Sequence, residues 1–243
     1  MPEGKIFIGT SGFSYDNWKG EFYPENLSKK DWLTYYAQKF NSLEINSSFY
    51  HLPRKKTFSN WARKTPGGFV FAIKASRYIT HLKKLVDPKE PLAKLIEPAR
   101  ELGRKLGPFL FQLPGNLKKD AEKLDNLLKA AQEMKIKSAF EFRDESWFDK
   151  EIYDILDHFG SGVVLSSSPK FPYHEKITGN LCYIRLHGKE KLYHSSYSRQ
   201  ELEEIAAVAK NCRKKGIDTY IYFNNDALGH AFRNAMTLQE LVS

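Results

Sequence analysis

Short apolar runs alternate with longer amphipathic stretches along the whole chain. Eight of these runs are rich in β-branched or aromatic residues and predict strands: Lys5–Gly9, Ser42–Asn46, Phe69–Lys74, Phe109–Gln112, Ser138–Arg143, Gly162–Ser166, Leu181–His187 and Thr219–Asn224. Between them, apolar residues recur at helical spacing. Leu92, Leu95, Ile96, Ala99, Leu102 and Leu106 form one stripe, with Pro98 as a kink inside it and Gly107 as its C-terminal cap. Leu124, Leu127, Leu128, Ala131 and Met134 form a second stripe behind Asp120, a candidate N-cap. Ser198 and Glu201 make a capping box ahead of Leu202, Ile205, Ala206 and Ala209. Repeated strand–helix alternation predicts a parallel sheet, and eight strands predict closure into a single α/β domain, a (β/α)8 or TIM-like barrel over residues 1–243. An open doubly wound sheet is the competing architecture, but no strand is followed by a GxGxxG fingerprint. Only about fourteen residues separate the sixth and seventh strands, too few for a helix plus two loops. That connection is expected to be mostly loop.

The two ends of the strands differ. Helix-to-strand joints are short and marked by Gly67-Gly68, Gly107, Gly160 and Gly216, whereas the strand-to-helix segments Thr10–Leu27, Ala75–Glu90 and Gly188–Tyr197 are long. Long loops beyond the carboxyl ends of barrel strands are where such folds build their sites. Side chains two apart on a strand share a face. Glu44 and Asn46, Glu141 and Arg143, Tyr183, Arg185 and His187, and Tyr220, Tyr222 and Asn224 therefore point into the barrel, while Leu43, Ile45, Phe140, Phe142, Ile184, Leu186, Ile221 and Phe223 face the helices. Lys74 and Gln112 close the third and fourth strands in the same phase. Burying charge is costly unless it is paired, so a polar ring at one end is either a set of Glu–Arg plugs or a site. Lys74, Arg143 and Arg185 outnumber Glu44 and Glu141, which leaves room for a phosphate or carboxylate. Glu44, Glu141 and His187 are the candidates for proton transfer.

Composition narrows the classes. Hydrophobic residues make up 41% and aromatic residues 14%, as in a folded globular chain. No apolar run approaches a membrane span, and Met1-Pro2-Glu3-Gly4 lacks a signal-peptide pattern, so a cytoplasmic location is expected. Cys182 and Cys212 are too few for a disulfide framework and are expected to be reduced packing residues. The net charge of +9 favours anionic partners, although the pairs Lys29-Lys30, Lys55-Lys56, Lys83-Lys84, Lys118-Lys119 and Lys214-Lys215 also serve simply to solvate helix ends. Glu44, Glu141, His187, His81 and Asp226 carry metal-ligating atoms, but no HExxH-like pair is present and the nearby cations repel a metal, so none is expected. Whether a cofactor is used is left open by the sequence. Phe13, Tyr15, Trp18, Phe22 and Tyr23 in the first long loop, with Phe49, Tyr50 and His51 after the second strand, either stack a base or sugar or pack the loops onto the rim.

These segments resemble the DUF72 (YecE-like) family. The resemblance rests on IGTSGFSYDNWKGEFYP (8–24), FNSLEINSSFYHLP (40–53), FVFAIKASRYITHLKKL (69–85), FLFQLP (109–114), FEFRDESW (140–147), YIRLHG (183–188) and YIYFNND (220–226), with Gly229 and Asn234-Ala235. It implies a TIM-like barrel and assigns no mechanism. The shared pattern includes Gly9, Ser11, Gly12, Tyr15, Trp18, Glu44, Asn46, Lys74, His81, Gln112, Glu141, Arg143, Arg185, His187, Asn224, Asn225 and Asp226.

Three functions compete. The first is an enzyme, hydrolase-like, acting on a small anionic phosphate- or sugar-containing substrate. In that reading Glu44, Glu141 and His187 are catalytic, and Tyr15, Trp18, Asn46, Lys74, His81, Gln112, Arg143, Arg185, Asn224, Asn225 and Asp226 bind substrate. The second is a nucleic-acid-binding or nucleic-acid-processing protein. The third is a non-catalytic ligand-binding barrel.

Overall fold

The structure, a computed structural model, describes residues 2–243. Eight parallel strands, β1 (Ile6–Thr10), β2 (Ser42–Ile45), β3 (Val70–Lys74), β4 (Leu106–Gln112), β5 (Ser138–Glu141), β6 (Gly162–Ser167), β7 (Leu181–Leu186) and β8 (Asp218–Phe223), follow one another around a single sheet in which β1 pairs with β8. Helices α1 (Trp32–Lys39), α2 (Lys55–Arg63), α3 (Lys89–Ala99), α4 (Ala121–Glu133), α5 (Lys150–His158), α6 (Arg199–Lys214) and α7 (His230–Val242) cover the outside. The β6–β7 connection carries no helix, as its length required. Along its outer wall lies a cavity of about 640 Å³, lined among others by Leu165, Ile184 and Leu186 and by none of the charged residues of the polar ring.

Alternation along the strands produces two cores. The outward residues pack with the helices, whereas Ala72, Leu110, Ala139, Val164, Leu181 and Tyr220 meet inside the barrel. The seam between β1 and β2 is closed mainly by side chains. Asn41 accepts from the Ile8 amide at 2.8 Å and donates to the Ile6 carbonyl at 2.9 Å, and the Tyr36 hydroxyl accepts from the Thr10 amide at 2.8 Å while donating to the Ser42 carbonyl at 3.1 Å. A Cβ on Gly9 would collide with the Ser42 carbonyl, so this close approach needs glycine. Above the seam, the Gly12 amide bonds the Glu44 carbonyl at 2.9 Å.

The helix caps follow the sequence: Asp120 accepts from the Lys123 amide at 3.0 Å, and the Ser198–Glu201 capping box is formed. The stripe ending at Leu106 does not form one helix. After α3 the chain turns through a 3-10 segment in which Gly103 takes φ 57°, and β4 already starts at Leu106. Gly107 is thus a strand residue, and a Cβ there would press on the Val70 side chain and the Phe71 carbonyl. Outward-facing strand residues and the inner stripe of a helix are both apolar, which is why spacing alone ran them together.

Candidate functional site at the barrel mouth

At the carboxyl end of the barrel the interior turns from apolar to charged. Arg185, at the top of β7, lies between two carboxylates, and all three groups are wholly buried. It donates from Nε to Glu44 Oε2 at 3.0 Å, from one terminal nitrogen to Glu44 Oε1 at 2.8 Å, and from the other to Glu141 Oε2. Ser11 and Tyr183 complete Glu44, donating to Oε1 at 2.5 Å and to Oε2 at 2.6 Å. On Glu141, Oε1 accepts from Arg143 Nε at 3.0 Å. Burial alone would raise both carboxyl pKa values. The charge of Arg185 reverses this, helped by hydrogen bonds at Glu44 and by Arg143 and His187 at Glu141, and both are held below the usual carboxylate range. Arg185 is in turn held charged: against the effect of its burial, the two glutamates raise its pKa.

His187 is buried beside this cage, its Nε2 3.4 Å from Glu141 Oε1. Its Nδ1 lies 3.1 Å from the Asn224 side-chain nitrogen. Nε2 also lies 3.4 Å from a terminal nitrogen of Arg185, so the ring bridges the cage to Asn224. Burial lowers the pKa of His187 despite Glu141, so the ring is neutral near pH 7.

Lys74 has no such partners. It ends β3 in phase with Ala72, forms no salt bridge among the described residues, and places Nζ 4.3 Å from the centre of the Phe49 ring. Burial and the charge of Arg185 push its pKa down to about 8, against the pull of Glu141 and Glu44. His81 packs edge-on against the same Phe49 ring, with centroids 5.0 Å apart. Burial, with Lys74 and Arg143 close by, pushes its pKa down to about 4, so it carries no charge at neutral pH. Arg143 is largely buried and lays its guanidinium 4.0 Å over the Phe171 ring. Gln112 is buried at the top of β4, opposite Glu141 in the sheet register.

On the β1 and β8 side a cavity of about 430 Å³ is lined by Tyr15, Asn17, Tyr193, Asn224, Asp226 and Ala227. Asp226 accepts from the Trp18 indole nitrogen at 2.6 Å, and burial pushes its pKa up to about 6. Trp18 itself is wholly buried and packs against Tyr15, Phe22 and Phe232. Phe22 and Tyr23 are buried as well, so these loop aromatics pack the rim instead of offering a stacking platform. Asn225 is also buried: its side-chain nitrogen bonds the Ser195 carbonyl at 3.0 Å and Asn234 at 2.9 Å, which ties the long loop after β7 to the turn after β8 and to α7. Asn46 is half-buried, and its side-chain oxygen has no partner.

The structure thus brings Glu44, Glu141, Arg143, Arg185, His187 and Asn224 into one hydrogen-bonded cage, sets Lys74 and His81 on Phe49, and turns Tyr15, Asn224 and Asp226 to the cavity. Sequence reasoning missed Ser166, whose buried hydroxyl is unpartnered and whose backbone pairs in register with Arg185. Its spacing from the inward Val164 was the available signal. Phe171 and Tyr193 sit on loops, where no periodicity marks them, whereas Phe49, in the 3-10 turn after β2, was among the aromatics the sequence singled out. Among the described residues no group of three His, Cys, Asp or Glu side chains is placed to hold a metal ion, and no helix is long and apolar enough to cross a membrane. Cys182 and Cys212 are free and buried.

Comparison with known proteins agrees with this architecture. The family model described as "Protein of unknown function DUF72" matches residues 7–243. The chain is 24% identical to the UPF0759 protein YunF of Bacillus subtilis (strain 168), covering 98% of this chain and 94% of that protein. It is similar in structure to a DUF72 family protein from Thermotoga maritima MSB8, at 32% identity and TM-score 0.85, covering 98% of this chain and 99% of that one. A DUF72 family protein from Enterococcus faecalis V583 superposes with TM-score 0.83 at 20% identity, covering 98% and 95%. The motifs, the eight-stranded barrel and a family match over nearly the full length agree: the chain belongs to the DUF72 family.

Proposed function

We propose that the barrel mouth is the active site of an enzyme that takes a small anionic compound carrying a phosphate or sugar group. The observation that carries this reading is the unbalanced lysine. Arg143 and Arg185 share Glu141 and Glu44, and Lys74, which has no salt bridge among the described residues, leaves the mouth one positive charge in excess. A half-buried cation without a salt-bridge partner among the described residues is partly desolvated at a cost, and a bound anion relieves that cost. Hydrolysis, the reaction expected from the sequence, needs a base free to activate water. Glu44 and Glu141 are committed to arginines and, as strongly held anions, are weak bases. Their part is to hold Arg185 and His187 in place. Asp226, with no cation against it, is the carboxylate left for proton transfer. Titration calorimetry with inorganic phosphate and a sugar phosphate tests the anion site. Binding should weaken at least tenfold in Lys74→Met and survive in Lys74→Arg. Equal affinity of Lys74→Met and the natural protein would remove the basis of this reading.

Nucleic acid is the second reading, supported by the +9 charge and by the exposed Tyr50 and Tyr78 near the mouth. Against it, Lys29, Lys83, Lys118 and Lys119 each pair with a surface carboxylate. Oligonucleotide binding that falls steeply between two salt concentrations would favour it, and no binding at low salt would dismiss it.

A further inference from the structure

Lys74 is held in surroundings that do more than attract an anion. Its ammonium rests on an aromatic face and is half-buried, and its charged neighbours on the ring include two arginines whose own carboxylates are already engaged. Desolvation and nearby cations both disfavour the charged form of an amine, and together they are the means by which a lysine becomes a nucleophile near neutral pH. With its pKa pushed down to about 8, a fraction on the order of a tenth of Lys74 is free amine at neutral pH, against roughly one part in three thousand for an ordinary lysine. His81 stays uncharged beside it. Arg143 brings a guanidinium to the same mouth, stacked on Phe171, with one edge on Glu141. An amine and a fixed cation at one opening are suited to a compound that carries a carbonyl at one end and an anionic group at the other.

We propose that Lys74 is a nucleophile that forms an imine with a small anionic aldehyde or ketone, Arg143 holding the anionic group; this rests on the reading of the mouth as an anion site. The neutral Nζ attacks the carbonyl carbon and forms the C–N bond. The carbonyl π pair moves to oxygen, which takes up a proton as nitrogen sheds one, giving a carbinolamine. Protonation of its hydroxyl lets water leave, and the nitrogen lone pair closes the C=N⁺ bond. One water is released, and no oxidant or reductant is consumed.

Borohydride trapping tests this on the full chain. Glyceraldehyde 3-phosphate is the probe at pH 7.5, and peptide mapping by mass spectrometry locates the reduced adduct. Lys74 is expected to be labelled at least tenfold faster than the exposed Lys55 and Lys150, and inorganic phosphate should slow its labelling. In Lys74→Arg the adduct at this position should vanish while phosphate binding remains. Labelling of Lys74 no faster than Lys55 and Lys150 overturns the proposal. Selective phosphate binding without selective labelling overturns the imine and leaves the anion site standing. Equal labelling by uncharged glyceraldehyde, with no protection by phosphate, overturns the anionic substrate and leaves Lys74 a nucleophile.

Discussion

Arg185 on β7, wholly buried, and Lys74 on β3, half-buried, are cations at the same end of one barrel, yet their electrostatic situations are opposite. Arg185 meets a carboxylate on each side and is held charged, and it holds both carboxylates charged in return. Lys74 rests on an aromatic ring, and burial with the charge of Arg185 pushes it toward neutrality against the pull of Glu141 and Glu44. The lesson is that burial does not by itself make a group reactive. With matched partners it fixes a charge and stiffens the barrel mouth; without them it leaves a proton loosely held.

The most forceful way to break this contrast is to remove Arg185. Arg185→Met leaves Glu44 buried without a cation and Glu141 with Arg143 alone, and the loss should be about 3–5 kcal/mol in urea denaturation at neutral pH. A loss below about 1 kcal/mol would mean that the cage is not what holds the mouth together. Glu44→Gln is the milder cut. It keeps the shape but weakens the bond to Arg185, and about 1–3 kcal/mol is expected. The same variant sharpens the acid limb. Glu44 and Glu141 have lowered folded pKa values, so their stabilisation is present above the unfolded carboxylate range and is lost as pH falls through the folded values. Urea midpoints of the natural protein should therefore drop on acidification more steeply than those of Glu44→Gln.

Lys74 should behave in the other direction. Its folded pKa of about 8 lies below the unfolded 10.5, so between those values the unfolded chain binds more protons and stability rises with pH. At neutral pH Lys74→Met should match or exceed the natural protein by about 1 kcal/mol, and the gap should narrow through that window. Asp226 is the smallest case. Its folded pKa, pushed up to about 6, exceeds the unfolded 3.8, so its contribution is present below 3.8 and lost as pH rises through 6. Asp226→Asn should gain on the order of 0.5 kcal/mol at pH 8 after solvent screening, with no gain at pH 4.

Most of the frame was legible because strands have a period of two. Glu44, Glu141, Arg185 and Tyr183 share an interior because each lies two residues from another inward position or from an apolar inner neighbour such as Ala139. The missing helix between β6 and β7 was legible from chain length. The start of β4 was not, since Leu106 suits both a helix stripe and an outward strand face. In the site, alternation placed the charges but not their partners. Whether Arg185 or Lys74 takes the two carboxylates depends on reach across the barrel, which no local pattern encodes. Trp18 and Phe49 are both loop aromatics in sequence; one is anchored beneath the rim by Asp226 and the other carries Lys74. Composition cannot separate them.

The central claim is that Lys74 is the loosely held charge of an otherwise balanced mouth. Carbon-13 labelling of the lysine ε-carbons, with the Lys74 signal assigned by its absence in Lys74→Met, follows that one amine as pH is raised. The account predicts a midpoint near 8. A midpoint at about 10.4, as for an exposed lysine, would contradict it.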